Sequence, residues 1–284
     1  MKPSAILLIS CPDRKGLVAT VSDYIYKHGG NILHTDEHTD ANAQWFLMRV
    51  EFDPTEFDVA LADVPKSFGP IAQLFSMDWR LADSATRPRM AIMVSKYDHC
   101  LVDLLYRHKI GELRCEIPLI LSNHPDNQPI ADFYGISFFH IPVPKDGKSD
   151  AEKKQRDLIA ENRIDFIVLA RYMQVLSNQF VSSFPQRIIN IHHSFLPAFI
   201  GAKPYHQAFE RGVKLIGATS HYVTEVLDDG PIIEQDVVRI SHRDSVEDLI
   251  KKGRDLEKLV LSRGVRWHVE NRVLLYGNKT VVFD

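Results

Sequence analysis

Arg187-Ile188-Ile189-Asn190-Ile191-His192-His193-Ser194-Phe195-Leu196-Pro197 is the stretch from which the fold of this chain can be read. An apolar, β-branched run ends in polar side chains and a proline that breaks regular structure. As a strand over Arg187–Ile191, it puts Asn190 and His192 on one face, two residues apart. Apolar strands of the same kind precede it at Met90–Val94, Ile117–Ser122 and Phe166–Ala170. Helical periodicity fills the intervals at Leu101–Arg107 and over 150–162. Strands alternating with helices predict a mostly parallel, Rossmann-like sheet with helices on its faces. Ligands bind such sheets beyond the carboxyl ends of the strands, which is where Asn190 and His192 fall.

A carboxamide beside an imidazole suits donation to a developing oxyanion. Taken alone, the pair is equally an ordinary strand end bonding to loop backbone. His192 and His193 are adjacent, so they point to opposite faces and do not share a metal; no metal is expected. Downstream, Ala218–Val223 and Ile232–Val237 read as strands joined by an acidic loop, Leu227-Asp228-Asp229-Gly230-Pro231. Asp228 there is placed to take a proton from water, although Asp-Gly is also a plain turn signal. A helix over 245–270 and a hairpin around Gly277-Asn278 follow.

Upstream, the order is strand Ala5–Ser10, helix from Leu17, strands over 32–40 and 45–52, helix over 56–75 and strand Ser76–Leu81. That order is the βαββαβ, ferredoxin-like plan. The polar, proline-bearing stretch Asp83–Arg89 marks a linker. The expected organisation is therefore a regulatory unit over 1–83, a linker over 84–89 and a catalytic unit over 90–284. The charge balance of -3 offers no general attraction to nucleic acid or an anionic membrane. No apolar run reaches the roughly 20 residues that span a bilayer. The three widely spaced cysteines, Cys11, Cys100 and Cys115, suggest neither a disulfide framework nor a zinc site. A reducing, cytoplasmic setting is expected.

Three segments in fixed order, Asn190–Pro197, Gly217–Val223 and Leu227–Gln235, resemble the formyltransferase domain that uses 10-formyltetrahydrofolate. Leu169–Met173 and Tyr205–Ala208 fit the same family. The resemblance implies Asn190, His192 and Asp228 as the catalytic trio. It gives His221 the task of fixing the acidic loop, and Met173, Val175, Leu176, Ile188 and Val223 that of lining the folate pteridine pocket. His193 departs from the proline common after the catalytic histidine. The segments Cys11–Ala19 and Gly30-Asn31-Ile32 resemble an ACT domain. This implies a ligand or interface site at Asp13, Gly16, Gly30 and Asn31, an amino-acid effector such as glycine or methionine, and a homo-oligomer.

An ACT domain ahead of a formyltransferase domain is the arrangement of a hydrolase family. Its members split 10-formyltetrahydrofolate into tetrahydrofolate and formate, supplying purine biosynthesis and balancing one-carbon folates. No prosthetic cofactor is implied. Glycinamide ribonucleotide formyltransferases of the same family hold phosphate on a Gly-rich loop. Here Ser95-Lys96-Tyr97-Asp98-His99-Cys100 stands at that place without glycine. A phosphate site built from Lys96 and His99 side chains is the alternative. A further rival is a non-catalytic sensor of folate and amino acid.

Overall fold

The computed structural model describes residues 3–144, 146–198 and 204–284. It divides into two compact units, Met1–Arg87 with Glu270–Asp284, and Pro88–Val269. The first unit runs β1 (Ala5–Pro12), α1 (Leu17–Lys27), β2 (Asn31–Asp40), β3 (Trp45–Asp53), α2 (Val64–Phe75) and β4 (Asp78–Asp83). Its antiparallel sheet has the order β2-β3-β1-β4, the expected βαββαβ plan. The second helix starts at Val64 rather than 56, because Pro65 occupies its first turn, where a missing N–H costs nothing.

β1 explains why the unit extends beyond residue 87. Its alternation sends Ala5, Leu7, Ile9 and Cys11 into a core with Val21, Ile25, Phe68 and Ala72 of the helices. Ile6 and Leu8 point the other way and are equally buried. They are covered by Leu274 and Phe283, from the hairpin β12 (Val273–Tyr276) and β13 (Lys279–Val282). Arg49 reinforces the join by donating to the Asn271 carbonyl at 3.0 Å. The boundary expected at the carboxyl end therefore shifts: residues 270–284 belong to the first unit and pack on its sheet.

The second unit has strands β5 (Arg89–Val94), β6 (Glu116–Ser122), β7 (Ser137–His140), β8 (Phe166–Ala170), β9 (Ile188–His192), β10 (Leu215–Tyr222) and β11 (Ile232–Arg239). Its helices are α3 (His99–Lys109), α4 (Gln128–Tyr134), α5 (Lys148–Glu161), α6 (Asn178–Ser182), α7 (Pro204–Arg211) and α8 (Val246–Val269). The sheet order is β11-β10-β9-β8-β5-β6-β7. β9 through β7 are parallel, and β10 runs antiparallel to both its neighbours. Strands such as β8 are buried throughout because helices cover both faces. α5 and α6 pack on one face through Ala151, Ile159 and Phe180, while α8 lies along β9, β10 and β11. The chain reverses its direction of travel across the sheet between β5 and β8, so their carboxyl ends open a crevice. Among the described residues, no helix is long and apolar enough to cross a membrane.

Phe283→Ala should empty the volume beneath Ile6, Leu8 and Leu47 and destabilise the first unit by about 3–5 kcal/mol. Urea denaturation followed by the fluorescence of Trp45 and Trp79 checks this; a change below about 1 kcal/mol would remove the hairpin from that core.

Candidate active site

A cavity of about 620 Å³ lies at the carboxyl ends of β8 and β9. Met173, Val175, Leu176 and Val223 line it, together with Asn190, His192, His221 and Asp228. Ile188 does not line it. That side chain is fully buried one layer beneath, against Leu169, Tyr172 and Phe180.

Strand pairing sets the polar wall. β9 and β10 are antiparallel, with Asn190 opposite His221 and Thr219 opposite His192. Cross-strand neighbours lie within side-chain reach, and Asn190 Nδ2 stands 3.2 Å from His221 Nε2. His221 Nδ1 faces the Tyr222 carbonyl at 3.0 Å, and a carbonyl only accepts, so Nδ1 carries the proton. Burial lowers the His221 pKa, only partly opposed by the Tyr222 carbonyl and Asp228. The neutral ring's Nε2 then accepts from Asn190, whose second N–H has no partner among the described residues.

Asp228 reaches this wall from the β10–β11 loop. Its backbone is left-handed at φ 56°, a conformation that aspartate tolerates better than most residues. The close fit is two residues on. A Cβ on Gly230 would lie 1.7 Å from the Tyr222 carbonyl oxygen, so only glycine lets the loop seat here. The Tyr222 N–H donates to Pro231 O at 2.9 Å and closes the seat. Asp228 Oδ2 is then 3.3 Å from His192 Nδ1, and Oδ1 is 3.9 Å from His221 Nε2. Burial alone would raise the Asp228 carboxyl. The hydrogen bond from His192 and the charge of that ring outweigh it, and the pKa falls below the ordinary value. His192 is itself buried, and its Nε2 has no partner among the described residues.

The remaining motif residues hold the turn after β9. The Thr219 hydroxyl donates to Ser194 O at 2.9 Å and accepts from Leu196 N at 3.1 Å. Gln235 Nε2 bonds both Thr219 and the Leu196 carbonyl. His193 lies on the cavity wall, and burial, followed by the charge of Arg171, lowers its pKa to about 4. It is a neutral ring at pH 7.

Beside the trio lies a charged cluster without a sequence spacing to announce it. Glu257 of α8, 1% exposed, accepts from His99 Nε2 at 2.8 Å and from the Tyr205 hydroxyl, and stands 3.4 Å from Arg171 Nε. Its one visible signal is a carboxylate on the apolar stripe of a helix, beside Leu256, Val260 and Leu261. His99 is thus committed inward while Lys96 is exposed, so the two do not form a cradle. Asp98 occupies the N-cap position of α3 and places a negative charge at the helix start, where an anion would otherwise be favoured. His99, Cys100 and Glu257 approach within 4.8 Å of one another. Both Glu257 oxygens already accept hydrogen bonds, and burial pushes the Cys100 thiol up.

The four positions expected to form an ACT ligand site do not meet in one chain. Asp13 and Gly16 precede α1, whereas Gly30 and Asn31 follow it, about 16 Å away along an 11-residue helix.

Residues 88–265 match the family model described as formyl transferase. The chain is 54% identical to the formyltetrahydrofolate deformylase of Synechocystis sp., over 99% of this chain and 98% of that protein. It is 48% identical to the deformylase of Bacillus subtilis, covering 98% and 93%. The crystal structure of a formyltetrahydrofolate deformylase from Pseudomonas syringae pv. tomato superposes with a TM-score of 0.97 at 50% identity, covering 99% of this chain and 95% of that one.

Because its folded-state pKa is depressed, Asp228 should remain ionised as pH falls through about 3.9, where an ordinary aspartate is half protonated. Carboxyl ¹³C chemical shifts follow this directly. Gly230→Ala, which must lift the loop, should return Asp228 to the ordinary range and speed hydrogen exchange at the Tyr222 amide by about tenfold or more.

Proposed function

The chain belongs to the formyl transferase family and groups there with the formyltetrahydrofolate deformylases, and from this we propose that it hydrolyses 10-formyltetrahydrofolate to tetrahydrofolate and formate. The observation that carries the mechanism is the convergence of Asn190, His192 and Asp228 on one wall of an otherwise largely apolar cavity. Asp228, held ionised, orients a water and takes its proton. The water oxygen attacks the formyl carbon on N10. The unpartnered N–H of Asn190 and the His192 ring donate to the oxyanion of the tetrahedral intermediate. The C–N10 bond breaks, N10 takes a proton, and formate leaves with the water oxygen. His221 is a positioning residue that acts through Asn190 and the acidic loop. Met173, Val175, Leu176 and Val223 give the pteridine an apolar slot.

Water is the acceptor rather than an amine carrying phosphate. Tyr97 and Asp98 stand where a phosphate would need backbone N–H groups and a helix start free of negative charge. The enzyme requires no prosthetic cofactor, and its buried cysteines, joined in no disulfide among the described residues, suit the reducing cytoplasm. Residues 1–83, completed by 270–284, act as an ACT-type regulatory unit. Asp13 and Gly16 of one copy meet Gly30 and Asn31 of another in a homo-oligomer that takes an amino-acid effector, glycine or methionine. Their separation at the two ends of α1 fits a site shared between copies.

Purified protein given 10-formyltetrahydrofolate and no amine should release formate. Asn190→Ala should lower kcat by about 10²–10³, and Asp228→Ala by at least as much, with the fold intact by circular dichroism. Near-normal turnover by Asp228→Ala would sink the assignment. In sedimentation, Asn31→Arg should shift the protein toward smaller species and abolish any response of turnover to glycine or methionine. An unchanged size together with an unchanged response rejects the interface.

A further inference from the structure

Arg171 follows the carboxyl end of β8 on the cavity wall, and the trio has no use for it. Its backbone is left-handed at φ 62°, which non-glycine residues adopt sparingly. The conformation is pinned on both sides. Ser95 N–H donates to the Arg171 carbonyl at 3.3 Å, and Met173 N–H donates to Ser95 Oγ at 2.9 Å. The side chain is only 9% exposed, yet Nε and Nη1 have no hydrogen-bond partner among the described residues. The adjacent carboxylate does not satisfy it, since Glu257 already accepts from His99 and Tyr205 and lies 3.4 Å from Arg171 Nε.

A second guanidinium is near. Arg171 and Arg254 sit 5.5 Å and 5.3 Å from the centroid of the Tyr97 ring, which gathers both cations at one edge of the cavity. Neither Tyr205, whose hydroxyl is pushed up by burial, nor the neutral His193 adds a negative charge beside them. Arg171 therefore faces a carboxylate whose oxygens are already taken. A buried guanidinium with vacant donors is matched by an oxyanion that accepts a charge-assisted hydrogen bond.

We propose that Arg171, with Arg254, seats a small monocarboxylate, the formate released by the hydrolysis proposed above, on which this inference rests. Formate forms beside His192, whose ring centroid is 5.3 Å from that of His193, and His193 in turn feels the charge of Arg171. The ionised Asp228 repels the product that it helps to make, and the guanidinium pair supplies a place for it within the same cavity. A monoanion is favoured over a dianionic phosphate, because Glu257 and Asp98 would oppose the second charge.

The test titrates [¹³C]formate into the full chain at fixed ionic strength and follows saturation-transfer NMR. It also measures inhibition of 10-formyltetrahydrofolate hydrolysis by added formate. Saturable binding is expected. Arg171→Gln should weaken it about tenfold or more, with a parallel loss of formate inhibition. Arg254→Gln, at an exposed position of α8, should weaken it about threefold and keeps the test open where Arg171→Gln does not fold. Absence of saturable formate binding overturns the proposal, as does equal binding by both variants. Displacement of formate by inorganic phosphate at far lower concentration overturns formate as the occupant. A raised KM for the folate with unchanged formate binding overturns it in favour of a folate carboxylate. A protein that binds formate but makes none from 10-formyltetrahydrofolate sinks the hydrolytic reading separately.

Discussion

Residue 230 has no room for a side chain, and the geometry of the candidate site depends on that. The carbonyl of Tyr222 occupies the space a Cβ would need. With glycine there, the loop settles onto the end of β10 and carries Asp228, in its left-handed conformation, to hydrogen-bonding distance of His192. The same strand carries His221, so one contact sets the height of the carboxylate over both imidazoles. His221 in turn orients the amide of Asn190. The polar groups are thus held by two adjacent strands and one tight loop, not by flexible tethers.

The cavity combines two electrostatic settings. On one wall a carboxylate is kept ionised by His192, its burial outweighed by that ring's hydrogen bond and charge. On the other, two guanidinium groups lie near an aromatic ring, one of them beside a carboxylate whose oxygens already accept from His99 and Tyr205. Between them lies the apolar lining of Met173, Val175, Leu176 and Val223. In a low-dielectric pocket such fixed charges act more strongly than they would in water. Opposed settings across a short distance suit a reaction that begins with an uncharged water and ends with an anion.

Much of this was legible in the sequence, for identifiable reasons. Strands buried on both faces declare themselves as continuous apolar runs, so β5, β6, β8 and β9 stand out. Asn190 and His192 are two residues apart on one strand, and the acidic loop is bounded by Gly-Pro. The charged cluster was hidden because His99, Arg171, Tyr205 and Glu257 come from distant segments with no shared spacing. Ile188 alternates with Asn190 along β9, yet it points into the layer below the cavity rather than onto its wall. The destination of the terminal hairpin was hidden too. Its sequence announces a turn at Gly277-Asn278 but not the sheet it covers. The clue lay far away, in a first strand apolar on both faces where a one-sided sheet would alternate.

That arrangement has a consequence for synthesis on the ribosome. β4 ends at Asp83 and the covering hairpin begins at Val273, roughly 190 residues later. At about 5–20 residues per second, the exposed Ile6–Leu8 face waits on the order of ten to forty seconds for its cover. The unit translated first is the one completed last. During that interval the nascent chain presents an uncovered apolar sheet face, open to contact with other hydrophobic surfaces.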